Sequence, residues 1–268
     1  MTDKTLHRML DAALAASRVI LEVYEQDFAY VIKADSSPVT EADTRAEDII
    51  LDMLAHTHLP VLAEESAGAG RIPELGHRFF VVDPLDGTKE FLKRNGEFTV
   101  NIALCELGRP VLGVVLAPAK GEAYWGGPDG AFAARIEDGR LSDEHRIEAR
   151  VHGPVHVVGS RSHAHPAMDA LCQHMNVVKD VSVGSSLKFC LLAKGDAQLY
   201  PRFGQTSEWD TAAGQAVLQA AGGVVLRLDG APLTCGHPEN RYLNSSFVAA
   251  ANFSLAEMAR IEMVRLLA

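Results

Sequence analysis

The sequence predicts an α/β protein in two parts, with helices on an antiparallel sheet first and alternating strands and helices afterwards. Three observations carry this prediction. Apolar residues recur twice at helical spacing before residue 55. Short β-type segments separated by Gly and Pro then follow one another between residues 79 and 135, which is typical of a meander. Beyond residue 150, strand-like segments alternate with helical ones.

Two apolar stripes predict that the chain opens with two helices. Each stripe recurs every three or four positions, in places with two adjacent residues, so its members share one helix face that can pack against a sheet. The first stripe consists of Leu6, Met9, Leu10, Ala13, Ser17, Ile20 and Tyr24, and the second of Ala42, Ala46, Ile49, Ile50, Met53 and Leu54.

A run of short segments predicts the sheet of the first part. After a strand at 79–82, further strands are expected at 98–106, 110–118, 121–126 and 130–135. The polar stretch at 133–145 is the most linker-like region, so a domain boundary is expected near residue 150. Residues 1–150 would then form an N-terminal α+β domain, and residues 151–268 a C-terminal α/β domain that begins with the strand V-H-V-V-G-S.

Composition excludes several classes of protein. The 268 residues are 47% hydrophobic, enough for a sizeable core, and the net charge of −10 with no basic run argues against nucleic-acid binding. No stretch suits a transmembrane helix and no signal peptide is recognisable, so a cytoplasmic protein is expected, with peripheral contact at the inner membrane face left open. Four widely spaced cysteines predict free thiols. The pairs His152 with His156 and His163 with His165 lack the spacing of a zinc motif.

The segment F-F-V-V-D-P-L-D-G-T drives a buried strand into two carboxylates, Asp83 and Asp86. A turn explains Asp86 and Gly87, but it does not require Asp83, which repulsion would penalise unless a cation lies between the two. The carbonyl of Leu85 is a further oxygen ligand. The pattern therefore favours a site for a hard cation such as Mg²⁺.

Two other segments place acidic residues at the ends of elements. The strand L-P-V-L-A runs into Glu64 and Glu65, for which a solvated loop is the simpler explanation. Asp210 stands before a helix in S-E-W-D-T-A-A-G, where N-capping alone would explain it. Because two strands end in a pair of acidic residues, two unrelated solvated loops are a less satisfactory explanation.

The segments A-E-E-S, V-D-P-L-D-G-T and W-D-T-A-A-G together resemble the inositol monophosphatase family of Mg²⁺-dependent, lithium-sensitive phosphatases. V-T-E-A-D at 39–43 and V-G-S-S at 183–186 are similar to two further elements of that family, in the same order. The resemblance spans nearly the whole chain. It implies a layered α-β-α-β-α sandwich of the sugar-phosphatase type.

The resemblance also implies a set of site residues. Two or three Mg²⁺ ions would be held by Glu64, Asp83, the Leu85 carbonyl, Asp86 and Asp210. Thr88 would orient the attacking water with Asp43 as its partner, and Glu65 would belong to the catalytic group. The substrate would be bound by Gly87, Thr88, Gly184, Ser185, Ser186, Lys188, Arg202 and Asp210. For Thr88 and Asp43 the residues alone also allow a turn hydroxyl and a helix-start charge.

The phosphate contacts include a predicted helix start after Gly184. There the backbone N–H groups of Ser185 and Ser186 would point towards an anion. Ser N-capping is the alternative explanation of these serines.

Arg202 sets the chain apart from the inositol-cleaving branch, which usually has glutamate at that place. A guanidinium suits a pair of phosphate oxygens and so suggests a substrate with a second phosphate. The strings at 159–163, 184–190 and 200–214 resemble the bacterial 3′(2′),5′-bisphosphate nucleotidases, which convert adenosine 3′,5′-bisphosphate to AMP. Surface charges remain the alternative for Arg202 and Lys188.

The expected partner is a small bisphosphate nucleotide, bound by a monomer or homodimer. A broad inositol or sugar monophosphatase is the alternative within the enzymes. A non-catalytic metal and phosphate sensor is the alternative outside them.

Overall fold

The computed structural model describes residues 2–32, 38–151, 153–160 and 165–268. His152 and His163, considered above for zinc, and most of the string 159–163 lie outside these residues. No helix in the described part of the chain combines the length and apolarity needed to cross a membrane.

The described residues contain eight α-helices and sixteen strands. The helices are α1 Thr2–Tyr24, α2 Glu41–Ala55, α3 Glu64–Gly68, α4 Thr88–Leu92, α5 Ala167–His174, α6 Leu187–Ala193, α7 Ala212–Ala220 and α8 Phe253–Leu267. The strands are β1 Tyr30–Ile32, β2 Pro38–Thr40, β3 Val61–Ala63, β4 Arg78–Asp86, β5 Thr99–Glu106, β6 Arg109–Ala117, β7 Glu122–Gly127, β8 Gly130–Glu137, β9 Arg140–Ile147, β10 His156–Ser160, β11 Lys179–Val183, β12 Leu199–Arg202, β13 Thr206–Ser207, β14 Val224–Arg227, β15 Leu243–Asn244 and β16 Phe247–Ala250.

The first sheet has the strand order β3-β4-β5-β6-β7-β8-β9. Only β3 and β4 are parallel, and every later neighbour is antiparallel. The predicted meander and the two opening helices are therefore confirmed. Strand β4 is buried along most of its length, which explains why its sequence is a continuous apolar run that ends in Asp83.

The linker expected at 133–145 is wrong, because these residues belong to strands β8 and β9 of the same sheet. Asp138 and Gly139 join the two strands with φ of 49° and 70°, as a tight hairpin with two positive φ values requires. Strand β9 is the edge of the sheet and is mostly exposed, so its sequence is polar. An exposed edge strand and a linker have the same composition.

The second sheet has the order β11-β10-β12-β16-β14. Strands β10, β11 and β12 are parallel, whereas β14 and β16 run antiparallel to their neighbours. The chain passes from the first sheet to the second between Ile147 and His156. That the two parts are separate domains stays a prediction.

Three buried clusters show how the sheets and helices are layered. The first joins α1 and α2 to one face of the first sheet, and the second lies between the two sheets around α6 and α7. The third joins α5 and α8 to the outer face of the second sheet. The architecture is therefore the predicted α-β-α-β-α sandwich.

Helix α7 lies unusually close to the first sheet. A Cβ added to Gly113 would be 2.3 Å from the carbonyl oxygen of Ala213, and one added to Gly126 would be 2.8 Å from Cα of Val217. Both distances are too short for real atoms, so only glycine on β6 and β7 permits this packing. Because α7 follows Asp210 directly, the close contact brings that carboxylate towards the first sheet.

Candidate active site

Three carboxylates converge where β4 ends and α7 begins. Asp83 and Asp86 lie at the end of β4, where the pairing with β5 shifts register, and Asp210 arrives from the segment before α7. One oxygen from each lies within 4.8 Å of the others. The sequence could suggest the first pair from a strand end, but only the fold brings the third carboxylate to it.

The carboxylates face a cavity of about 260 Å³. Most residues predicted for the site line this cavity. These are Glu64, Asp83, Leu85, Asp86, Gly87, Thr88, Gly184, Ser185, Lys188, Arg202 and Asp210. Asp43, Glu65 and Ser186 were predicted for the site but are not among the lining residues.

The acidic groups destabilise one another's ionised forms. Burial raises the pKa of Asp83 well above its ordinary value, and the charges of Glu64, Asp86 and Asp210 raise it further. Burial, followed by the charge of Asp86, raises the pKa of Asp210 to about 6. Such clustered carboxylates fit a hard cation, which accepts oxygen ligands and removes their repulsion. An acidic triad that could hold a metal ion is therefore present.

Asp86 is held by groups from both halves of the chain. Its Oδ2 accepts hydrogen bonds from the backbone N–H of Ser186 at 2.6 Å, from the Ser186 hydroxyl at 2.9 Å and from Asn101 Nδ2 at 3.3 Å. The same Ser186 hydroxyl also contacts the Asp210 carbonyl at 2.7 Å. Asn101 and Ser186 are almost fully buried, so they fix the orientation of this carboxylate.

Asp210 is not a helix cap. Helix α7 has Thr211 at its N-cap, with no side-chain capping hydrogen bond. Asp210 Oδ2 instead accepts from the Thr206 hydroxyl and, at 3.1 Å, from the backbone N–H of Ser207. The capping explanation is therefore wrong, and the carboxylate is held by the chain that precedes it.

Glu64 begins α3, and a glutamate that the sequence did not suggest anchors that helix. The carboxylate of Glu47, on α2, accepts from the backbone N–H groups of Glu65 and Ser66, each at 2.8 Å. Glu47 is only 3% exposed. It binds the N-terminal turn of α3, where negative charge is favourable, and thereby fixes the backbone that carries Glu64. The catalytic role of Glu65 stays a prediction.

Thr88 and Asp43 form the predicted pair. The Thr88 hydroxyl lies 3.3 Å from Asp43 Oδ1 and 3.4 Å from the Leu85 carbonyl. Asp43 Oδ2 accepts from the backbone N–H and hydroxyl of Thr40, at 2.8 and 2.7 Å, in the capping box of α2. Asp43 therefore makes both contacts that the sequence allowed, one at the start of α2 and one with Thr88. That the pair orients a water stays a prediction.

The turn before α6 differs from its expected orientation. The backbone N–H of Ser186 was expected to face an anionic ligand, but it donates to Asp86. The backbone N–H of Gly184 donates to Glu97 Oε2 at 3.0 Å. The expected orientation of the Ser186 amide is therefore wrong, because nearby carboxylates are the anions that the turn binds. Ser185 has a φ of 49°, and its role in phosphate binding stays a prediction.

Two cations lie beside the acidic cluster. Lys188 is 6% exposed, and burial lowers its pKa to about 8 despite the opposing charge of Asp86. Arg202 is 9% exposed, and its Nε and Nη2 donate to the carbonyls of Gly204 and Gln205 at 3.2 and 2.9 Å. Neither is the solvated surface charge that the sequence alone allowed.

Comparisons with known proteins show which family the chain resembles. A family model described as the inositol monophosphatase family matches residues 3–265. The 3′(2′),5′-bisphosphate nucleotidase CysQ of Escherichia coli strain K12 is 44% identical over 246 residues, which cover 90% of this chain and 98% of the relative.

Solved structures show the same fold. CysQ from Bacteroides thetaiotaomicron, at 38% identity, has a TM-score of 0.77 and aligns over 92% of this chain and 97% of its own. A Thermotoga maritima IMPase, at 20% identity, shares the fold with a TM-score of 0.79 over 98% of both chains. The chain therefore belongs to the inositol monophosphatase family.

Proposed function

We propose that the protein is a Mg²⁺-dependent phosphomonoesterase that removes the 3′-phosphate of adenosine 3′,5′-bisphosphate, giving AMP and phosphate. The observation that carries this proposal is that Arg202 and Lys188 line the same cavity as the acidic triad. The carboxylates would hold the metal ions that bind one phosphate. The two cationic side chains beside these carboxylates suit a second phosphate. The name of the Escherichia coli relative, a bisphosphate nucleotidase, supports the same substrate class.

The metal ligands in this proposal are Glu64, Asp83, the Leu85 carbonyl, Asp86 and Asp210, for two or three ions. Bound Mg²⁺ would polarise the phosphoryl oxygens, stabilise the leaving oxygen and lower the pKa of the attacking water. Lithium inhibition would follow if Li⁺ takes the place of one Mg²⁺.

Thr88 and Asp43 would orient the water. Asp43 accepts the hydrogen of the Thr88 hydroxyl, so the lone pairs of Thr88 Oγ1 can accept a hydrogen from water. A lone pair of the water would then be free to attack phosphorus. The water oxygen would form a bond to phosphorus as the bond between phosphorus and the ribose 3′-oxygen breaks. One proton of that water would pass to the 3′-oxygen, so that the products are AMP with a free 3′-hydroxyl and hydrogen phosphate.

Arg202 would bind the 5′-phosphate, which does not react. Because two backbone carbonyls already fix its guanidinium, little side-chain entropy is lost on binding. A charge-assisted contact of this kind contributes about 1.5–3 kcal/mol. We also propose a cytoplasmic location, where a nucleotide by-product of sulfate activation arises, and a monomer or homodimer.

A phosphate-release assay tests the proposal. Rates with adenosine 3′,5′-bisphosphate, inositol 1-phosphate and AMP should be compared with Mg²⁺ and with EDTA. We expect Mg²⁺-dependent release with the highest kcat/KM on the bisphosphate. A higher kcat/KM on inositol 1-phosphate would instead support the broad monophosphatase, and no release from any substrate would support the sensor.

A further inference from the structure

A buried carboxylate lies two residues before Asp210. Glu208 is fully buried and does not line the cavity of the acidic triad. Its Oε2 accepts from the backbone N–H of Gly236 at 2.6 Å, and its Oε1 accepts from the backbone N–H of His237 at 3.1 Å. The His237 ring lies with Nδ1 2.8 Å from the same Oε1. All these groups come from one loop.

That loop is fixed against the sheet that carries the other two carboxylates. The backbone N–H of Cys235 donates to the carbonyl of Gly108, in the turn between β5 and β6, at 2.8 Å. Gly236 has a φ of 92°, and a Cβ there would lie 2.9 Å from the Phe79 ring on β4. The loop therefore packs on the first residues of β4, the strand whose other end carries Asp83 and Asp86.

Glu208 also organises the turn that contains Asp210. Its carbonyl accepts from the backbone N–H groups of Thr211 and Ala212 at 3.2 and 2.9 Å. Its own N–H donates to the carbonyl of Tyr242 at 2.8 Å. Asp210 is thus enclosed in a turn whose first residue is attached to the first sheet through the loop at 235–237.

We propose that Glu208 and His237 are positioning residues that set the distance of Asp210 from Asp83 and Asp86, and so set the affinity of the acidic triad for a divalent ion. The proposal rests on the proposed function only in that Asp210 is a metal ligand. It does not depend on which phosphate ester is cleaved.

The contacts of the His237 ring show which of its two nitrogens is needed to hold Glu208. With Nδ1 donating to Glu208, the His237 Nε2 is an acceptor, and the Thr234 hydroxyl lies 3.2 Å from it. Of the two ring contacts, only the one between Nδ1 and Glu208 helps to hold Asp210 in place. A side chain that reproduces the Nδ1 donor should preserve metal affinity, whereas one that reproduces only Nε2 should not.

The test measures metal binding directly in chelator-stripped protein. Mn²⁺ is titrated, and free Mn²⁺ is followed by electron paramagnetic resonance without any nucleotide. Asp210→Asn identifies the site that depends on Asp210. At that site we expect Glu208→Gln to bind Mn²⁺ about tenfold more weakly. A loss of this size is typical when a residue that orients a metal ligand is replaced. His237→Gln should lose several-fold. His237→Asn, whose amide can donate where Nδ1 does, should stay within about twofold of the parent, as should the control Thr234→Val.

A double-mutant comparison separates positioning from general loss of stability. Once Asp210 is Asn, adding Glu208→Gln should change Mn²⁺ binding no further, because the group being positioned is gone. Melting temperatures report stability separately. If Glu208→Gln does not fold, the two His237 variants carry the test, since that side chain is 31% exposed.

Three results would overturn the proposal. These are parental Mn²⁺ affinity in folded Glu208→Gln, equal losses in His237→Asn and His237→Gln, and no parental Mn²⁺ site that depends on Asp210. A failed substrate proposal would leave all three measurements unchanged, because no phosphate ester is present.

Discussion

Replacing Asp210 with Asn should stabilise the metal-free protein while weakening its stabilisation by bound metal. Asparagine keeps an oxygen that can accept from Thr206 and Ser207, as Asp210 Oδ2 does. It removes the negative charge that burial and Asp86 destabilise. The local structure should therefore survive, and only the electrostatic cost should disappear.

The raised pKa gives the size of the effect. The pKa of Asp210 rises from 3.8 to about 6, so the folded state holds this proton more tightly than the unfolded chain. Stability of the metal-free protein therefore falls as pH rises from about 4 to about 6, and it remains lower above that range. At about 1.36 kcal/mol per pH unit the cost is about 3 kcal/mol. Because Asp210 is partly exposed, we reduce this to about 2 kcal/mol.

Thermal melts in EDTA measure this cost. At pH 7.5 we expect Asp210→Asn to melt about 4–8 °C above the parent, since 1 kcal/mol shifts Tm by about 2–4 °C in a chain of this size. At pH 5 the difference should be about half as large. Saturating Mg²⁺ should raise the melting temperature of the parent more than that of the variant, which lacks one ligand.

A variant that melts below the parent in EDTA at pH 7.5, or a difference that does not shrink at pH 5, would refute the electrostatic reasoning. The control is Asp229→Asn, which replaces a carboxyl group whose pKa is lowered instead of raised. Backbone and arginine hydrogen bonds lower the pKa of Asp229, so its replacement should not stabilise the protein at either pH.

Three further predictions concern the proposed activity. Asp83→Asn should lower turnover by orders of magnitude without lowering metal-free stability, and near-normal activity at limiting Mg²⁺ would contradict its role as a ligand. Arg202→Ala should lower kcat/KM on adenosine 3′,5′-bisphosphate by roughly one to two orders of magnitude and on inositol 1-phosphate far less, and Arg202→Glu should shift the ratio further towards the monophosphate. Equal losses on both substrates in a folded protein would assign the second phosphate to Lys188 instead. Millimolar Li⁺ should inhibit phosphate release, and an unaffected rate would argue against the proposed metal cluster.

The parts of the fold and site that could be predicted are those with a local signal. The helices and strands of the first sheet follow from the spacing of apolar residues, and the D-P-L-D-G-T motif marks the end of β4. The expected linker failed because β9 is an exposed edge whose polar sequence carries no sign of pairing. Sequence composition reports exposure, and exposure does not distinguish a strand edge from a linker.

The supporting residues of the site could not be predicted, because their importance arises from contacts distant in sequence. Glu47 binds the start of α3 some 18 residues away, and Asn101 meets Ser186 across 85 positions. Glu208 stood beside the W-D motif, yet nothing local indicates that it reaches Gly236. A buried acidic residue has no sequence signature of its own, since burial depends on the whole fold.

The glycines on β6 and β7 limit which amino-acid substitutions the protein can tolerate. Gly113 and Gly126 allow α7 to pack closely on the sheet, and Asp210 lies two residues before the first residue of α7. A methyl group at either glycine would push the helix outward and move a carboxylate that neither glycine touches. In a saturation mutagenesis screen for activity, these two positions should therefore tolerate as little change as the acidic residues themselves. A map of sensitive positions would then mark them as part of the catalytic apparatus, although they carry no functional group.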